Sequence, residues 1–196
     1  MALVVLLRGV NIGGHKTFRP TLLAKQLKRL NAVNIGAAGT FVIQRSVTRT
    51  QLRAEFERRL PFDTKVVMCE GREILRMMSQ SSFAHTTVQP GVVRFVSVLS
   101  QRHRLEPSLP LTFPSRGKWL LKIDARENRF VFGMYRRDMK VIGYLGELDK
   151  LFGVPVTTRN WNTVTAIAKV LESKHSLSYG VPRKQRTAVR RSYDKS

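Results

Sequence analysis

Short apolar runs alternate with amphipathic helical segments along the first 80 residues, and this alternation constrains the fold most strongly. The opening run ALVVLLRGV is too short for a stable helix and is typical of a strand buried on both faces. The segment after it places Leu23, Leu27 and Leu30 at helical spacing, and Pro20 suits the first helical position. The chain therefore begins as a strand followed by a helix.

The next segments continue the pattern. NIGAAGTFVIQR predicts two short strands joined at Gly39. Thr48 and Gln51 have capping-box spacing ahead of a helix that Pro61 ends. KVVMCEG predicts a strand and REILRMMSQS a further helix. The order β-α-β-β-α-β plus a helix is that of the ferredoxin-like, or split βαβ, unit.

The second half repeats this order less clearly. VVRFVSVLS predicts a strand, and residues 101–117, with three prolines, predict an irregular connection or a loose strand. Two strands are predicted to turn near Glu127 and Asn128, followed by a short helix at 147–153 and a last helix after Thr163. Phe130 and Phe132 share one face of their strand beside arginines, so they either pack in the core or stack on RNA bases.

We therefore predict an α+β fold of two lobes with ferredoxin-like (split βαβ) halves. Mixed or antiparallel sheets would carry helices on one face. The N-terminal lobe would span residues 1–85 and the C-terminal α/β lobe residues 86–178. Residues 179–196 are expected to form a basic tail that is disordered in isolation, because they lack apolar periodicity.

Lysine and arginine outnumber aspartate and glutamate by 35 to 13, which gives a formal net charge of +22. The excess is spread over the chain and is densest in the tail. Such a surface attracts nucleic acid or another polyanion through counterion release, although a merely solvated basic surface is the alternative. The tail residues predicted to act as a polyanion-binding arm are Arg183, Lys184, Arg186, Arg190 and Arg191.

The chain carries no sign of a membrane or secreted location. No apolar run approaches the roughly 18 residues that span a bilayer, and the N-terminal run lacks the features of a secretory signal. The single cysteine, Cys69, excludes an intrachain disulfide and fits a reducing compartment. We expect a cytoplasmic protein without a membrane partner, in which Cys69 is a buried hydrophobic residue rather than a nucleophile.

The first candidate site is LLRGVNIGGHK, between the first strand and the first helix. Backbone N–H groups and the helix dipole can hold an anion at such a turn, and two glycines would let a ligand approach the backbone. The spacing is not that of a phosphate loop, and a simple turn is the alternative. The ligand-binding candidates here are Arg8, Asn11, Gly13, Gly14 and Lys16.

The second candidate site is the block Arg159-Asn160-Trp161-Asn162-Thr163, just before an apolar helix. Either asparagine is a good N-cap, and Trp161 would pack back onto the lobe. This structural reading leaves Arg159 unexplained, because a cation at a helix N-terminus opposes the helix dipole. We therefore expect Arg159 to contact an anionic ligand or a carboxylate elsewhere in the fold, and we treat all five residues as ligand-binding candidates.

LLRGVNIGG and TTRNWNTV together resemble the family called domain of unknown function 1697, over about residues 3–173. The resemblance implies a two-lobed α+β fold with ferredoxin-like halves and no established activity. The family usually has a serine-glycine-asparagine hairpin in its second strand pair, where this chain has Ala38-Gly39-Thr40. If those polar groups serve a site in relatives, part of that site is changed here.

The sequence predicts no metal, no cofactor and no catalytic residue, because its histidines, cysteine and carboxylates show no ligand spacing or catalytic motif. Whether the protein is an enzyme is left open. The leading hypothesis is a binding protein for nucleic acid or another polyanion. The alternatives are an enzyme or sensor for a small anionic metabolite, held at the Gly-rich turn and the RNWNT block, and a protein–protein interaction module.

Overall fold

The computed structural model describes residues 1–11, 18–81, 83, 87–102 and 107–179, with side chains placed as far as Ser173. The fold is α+β, as predicted, with two antiparallel sheets and helices around them. None of the helices in this part of the chain combines the length and the apolar composition that a bilayer crossing requires.

The first sheet has four antiparallel strands in the order β2-β3-β1-β4. Its central strand pairs Val5 with Phe41 on one side and with Met68 on the other. Together with the intervening helices, this order is that of the predicted split βαβ unit. The strands are β1 (Leu3–Leu7), β2 (Ala32–Asn34), β3 (Thr40–Ile43) and β4 (Val66–Glu70).

Three helices belong to this half, namely α1 (Pro20–Gln26), α2 (Arg49–Glu57) and α3 (Gly71–Gln80). The predicted capping box starts α2: Thr48 Oγ1 accepts from Gln51 N at 3.2 Å, and Gln51 Oε1 accepts from Thr48 N at 3.3 Å. Leu23 of α1 and Phe56 of α2 are buried against the same face of the sheet. The spacing read from the sequence places Leu23 and Leu27 correctly in the core, whereas α1 ends at Gln26 and Leu30 lies in the short 3-10 helix Lys28–Leu30 that follows.

The second sheet has five antiparallel strands in the order β6-β7-β8-β5-β9. With β5, β7, β8 and β9 in place of β1 to β4, the order of the first sheet is repeated. Asn128, with φ of 56°, makes the tight turn predicted between β7 and β8. The strands are β5 (Val92–Leu99), β6 (Leu111–Phe113), β7 (Leu121–Glu127), β8 (Phe130–Arg136) and β9 (Val156–Asn160).

Two features of this half differ from the sequence-based expectation. The helix predicted at 147–153 is α4 (Val141–Phe152), which begins six residues earlier. Its two internal glycines weaken helix propensity, but burial of Val141, Leu148 and Phe152 on one face outweighs that loss. The segment just before the last helix, α5 (Trp161–Tyr179), forms strand β9. The sequence did not predict this strand, because its residues do not alternate between polar and apolar.

The hydrophobic core consists of three apolar clusters separated by the two sheets. Helices α1 and α2 cover one face of the first sheet, and α4 covers one face of the second. Between the two sheets, their remaining faces pack with α3 and α5 into a central cluster, so each sheet also has helices on its other face. Phe130 and Phe132 are buried in that cluster, which removes the base-stacking alternative for them.

Candidate interlobe cleft

The closing block forms the end of strand β9 and the first turn of α5. Asn160 is the cap, because its Oδ1 accepts from the backbone N of Thr163 at 2.8 Å and from the Thr163 hydroxyl at 2.9 Å. Asn162, the other possible cap, is exposed. Trp161 is buried and packs edge-on against Phe83, with ring centroids 5.7 Å apart.

Arg159 lies on β9 and crosses to the first half of the fold. It is only 8% exposed. Its Nε donates to Thr40 Oγ1 at 2.6 Å, and its Nη2 donates to the carbonyls of Leu7 and Ala38 at 2.7 Å each. Its Nη1 donates to the carbonyl of Thr158 at 2.7 Å. The side chain therefore joins the two lobes through neutral acceptors, and not through the carboxylate that the sequence suggested.

The charge of Arg159 has no ion-pair partner among the described residues. Burial lowers the pKa of its guanidinium to about 10, and no neighbouring charge offsets this effect. The group remains protonated at neutral pH. Because four of its five N–H groups reach the acceptors above, one Nη1 N–H is left without a protein acceptor in the described structure.

Arg159 binds the hairpin Ala38-Gly39-Thr40, where this chain departs from the family pattern. Gly39 has φ of 67°, and a Cβ there would lie 2.7 Å from Val10 Cγ2. Only glycine therefore suits the turn that points the carbonyl of Ala38 and the hydroxyl of Thr40 towards the guanidinium. The opening block, the hairpin and the closing block thus meet at one place, although they are far apart in sequence.

Arg8 and Asn11 hold the opening block in position. The Arg8 guanidinium forms an ion pair with Asp149 of α4, whose other oxygen accepts from Val156 N at 2.9 Å. Asn11 has φ of 56° and binds both backbone groups of Phe18, which closes the base of the turn. The remaining candidates of this segment, Gly13, Gly14 and Lys16, lie outside the described residues.

A cleft of about 440 Å³ opens where these segments meet. Among its described lining residues are two arginines and no acidic side chain. Thr157, which is 2% exposed, is one of its lining residues, and its buried hydroxyl has no hydrogen-bond partner in the described structure. Its polar lining consists of Arg8, Thr157, Thr158, Arg159, Asn160 and Thr163.

Comparison with protein families adds an identification. A family model described as "Protein of unknown function (DUF1697)" matches residues 1–109, more than half of the chain. The chain belongs to the DUF1697 family. The matched range includes the opening block and the hairpin, and it ends before the closing block.

The fold of this DUF1697 protein is similar to a solved structure, that of the conserved bacterial protein SP0830 from Streptococcus pneumoniae. The similarity has a TM-score of 0.54 at 14% sequence identity and covers 87% of this chain and 98% of the other. At that identity it supports the fold alone. No functionally curated protein matches the sequence.

A second cleft in this DUF1697 protein has a different electrostatic character. It measures about 470 Å³ and is lined by four arginines together with three glutamates. Glu70 pairs there with Arg49 at 3.7 Å and with Arg72 at 2.5 Å. Three glutamates offset the four arginines here, whereas in the interlobe cleft Asp149 pairs with Arg8 and Arg159 has no acidic partner among the described residues, so this cleft is less suited to attract an anion.

The sequence missed Thr157 and Asp149 as site residues. Thr157 lies in the block TTRNWNT, two residues before Arg159. Had the sequence predicted β9 as a strand, side-chain alternation would have placed Thr157 on the same face as Arg159. Asp149 carries no local signal, because its partner Arg8 is 141 positions away. The polyanion-binding candidates Arg183, Lys184, Arg186, Arg190 and Arg191 all lie outside the described residues.

Proposed function

We propose that this DUF1697 protein binds a small anion in the interlobe cleft, as a sensor or an enzyme. One observation carries the proposal: the cleft is lined by Arg159, a buried guanidinium without a carboxylate partner in the described structure. Buried charges are normally paired, because transfer of an ion out of water is costly. An anion bound in the cleft would supply the missing counter-charge.

Two neighbouring groups support this assignment. Arg8 reaches the cleft from the opening block, held there by Asp149. Thr157 also lines the cleft, and its buried hydroxyl has no hydrogen-bond partner in the described structure. An oxyanion bridging these three side chains would accept from each of them, and bonds from charged donors are the stronger kind.

The test is thermal unfolding of the full chain in inorganic phosphate, at ionic strength held constant with sodium chloride. A ligand that binds the native state raises Tm in a saturable way. At a ligand concentration of 100 times its Kd, the native state is stabilised by about 2.7 kcal/mol. Thr157→Val should lose this phosphate-dependent rise. The matched control is Thr165→Val, whose hydroxyl donates to the carbonyl of Trp161 within α5 and does not line the cleft.

An equal phosphate response in the wild type and in Thr157→Val would refute the proposal. It would show that phosphate acts on the basic surface as a whole, and not in the cleft. A response lost equally in both variants would also count against it, because the control leaves the cleft unchanged.

Polyanion binding by the basic surface is a second candidate. Arg45 and Arg136 donate to backbone carbonyls, and neither has an ion-pair partner among the described residues. With 35 basic residues against 13 acidic ones, most of the positive charge has no counter-ion within the chain. Such a surface favours nucleic acid through phosphate neutralisation.

Binding of a labelled duplex and of a single strand over a salt series tests this candidate. The comparison is between the full chain and a full-length variant with glutamine at Arg183, Lys184, Arg186, Arg190 and Arg191. Each lost phosphate contact should reduce the log–log salt slope on duplex by about 0.9. An unchanged slope would exclude the tail as a polyanion-binding arm.

A further inference from the structure

We infer that the anion bound in the interlobe cleft is attached to a flat apolar group, and that this group lies against helix α4. The inference rests on the proposed anion site and specifies the class of ligand. The chemistry is an oxyanion carried by an aromatic ring, which aryl phosphates, aryl carboxylates and nucleotides share.

The size of the cleft is the first argument. Its volume of about 440 Å³ falls within the roughly 300–1,000 Å³ typical of sites for organic ligands, and it is several times larger than a phosphate ion needs. A bare inorganic anion at Arg159 would leave most of this space to water. The remainder of the ligand must therefore occupy the part of the cleft beyond the arginines.

The part of the cleft wall formed by α4 and the second sheet is largely apolar. Helix α4 contributes Ile142, Leu145 and Gly146, and the second sheet contributes Tyr135 and Val156. Ile142 is 45% exposed, although it is a large aliphatic side chain next to a cleft. A ligand with an apolar group would cover this wall and remove its surface from water, which favours binding in proportion to the area covered.

Gly146 is the second argument, because nothing in the described structure requires glycine there. Its φ is not positive, and a Cβ would meet no atom within 4 Å. Glycine inside a helix nevertheless costs about 1 kcal/mol relative to alanine. The missing side chain leaves the backbone of α4 open to close approach from the cleft, as a flat ring stacked on the helix would need.

Thr157 gives independent evidence that the cleft holds a ligand. Its hydroxyl is buried and has no partner among the described residues, whereas buried polar groups in folded proteins are almost always hydrogen-bonded. Thr157 lies on β9 two residues before Arg159, and Gly146 lines the same cleft from α4. Polar and apolar groups are thus both available to an amphipathic anion.

A matched pair of glycines in α4 allows a direct test. Gly143 resembles Gly146 in that a Cβ would meet nothing within 4 Å, yet it does not line the cleft. Substitution of either glycine by leucine improves helix propensity by a similar amount. Only Gly146→Leu places a side chain where the ring would lie.

The probes are phenyl phosphate and methyl phosphate, which carry the same anionic group, and the assay is calorimetric titration of the full chain. We expect phenyl phosphate to bind the wild type about tenfold more tightly than methyl phosphate. Gly146→Leu should remove this difference, because the ring of phenyl phosphate loses its place against α4. Gly143→Leu should bind both probes as the wild type does. Gly146→Ala is a milder second variant, expected to weaken phenyl phosphate alone.

Three results would overturn the inference. Equal affinity of the wild type for both probes would exclude the apolar contact while leaving the anion site intact. Equal weakening in both leucine variants would assign the effect to the helix and not to the cleft. Binding of neither probe would reject the inference together with the proposed function.

Discussion

Substituting valine for either of two buried threonines beside Arg159 should change the stability of the protein in opposite directions. Thr157 is 2% exposed and its hydroxyl has no partner in the described structure. Thr40 is 0% exposed and its hydroxyl accepts from Arg159 Nε at 2.6 Å. Valine has nearly the same shape as threonine, so Thr→Val changes the hydrogen bonding at each position and little of the packing.

The expected magnitudes follow from these partners. A buried hydroxyl without a hydrogen bond costs about 1–3 kcal/mol, so Thr157→Val should raise the free energy of unfolding by about 1 kcal/mol. A hydrogen bond to a charged group contributes about 1.5–3 kcal/mol, and Thr40→Val removes one. Thr40→Val should therefore lower the free energy of unfolding by about 2 kcal/mol.

Thermal unfolding of the ligand-free full chain separates these outcomes. For a chain of this size, about 1 kcal/mol corresponds to about 2–4 °C in Tm. Thr157→Val should melt about 2–4 °C above the wild type and Thr40→Val about 4–8 °C below it. If Thr157→Val were destabilised as strongly as Thr40→Val, the Thr157 hydroxyl would have a partner within the protein. The evidence that this hydroxyl awaits a ligand would then be lost.

Three further outcomes are expected. Arg159→Lys should lower the free energy of unfolding by about 2–4 kcal/mol in urea titration, because one ammonium group cannot reach Thr40, Leu7 and Ala38 together. Burial lowers the pKa of Arg159 to about 10, so it stays charged at all lower pH values. Benzoate is an aryl carboxylate that stays ionised above about pH 6, so its affinity should be constant from about pH 6 to about pH 9 and fall only as pH rises past the pKa of Arg159. A loss of affinity near neutral pH would show that another group supplies the positive charge. Burial raises the pKa of the Cys69 thiol to about 12, so a thiol reagent should modify it only after unfolding, and rapid reaction of the native protein would contradict its burial.

Local features were predicted well because local interactions determine them. The capping box at Thr48 and Gln51 depends on groups three residues apart, and the turn at Asn128 depends on a single left-handed residue. The sequence indicated that either Asn160 or Asn162 caps α5. The structure shows that Asn160 is the cap, because its side chain accepts from the backbone N of Thr163. The failures were elements whose local signal is weak, namely the glycine-containing start of α4 and the polar strand β9.

The sequence by itself determined the order of the strands and helices except β9, the apolar face of α1, the capping box of α2 and the membership of the family. Periodicity and capping act over a few residues, so these features can be read along the chain. The tertiary structure alone decided that Arg159 bonds to Thr40, 119 positions away, and to Leu7, 152 positions away. It also left that buried cation without a carboxylate in the described structure. Such pairings arise when two sheets pack against each other, because packing brings together groups whose separation in sequence carries no information about their separation in space.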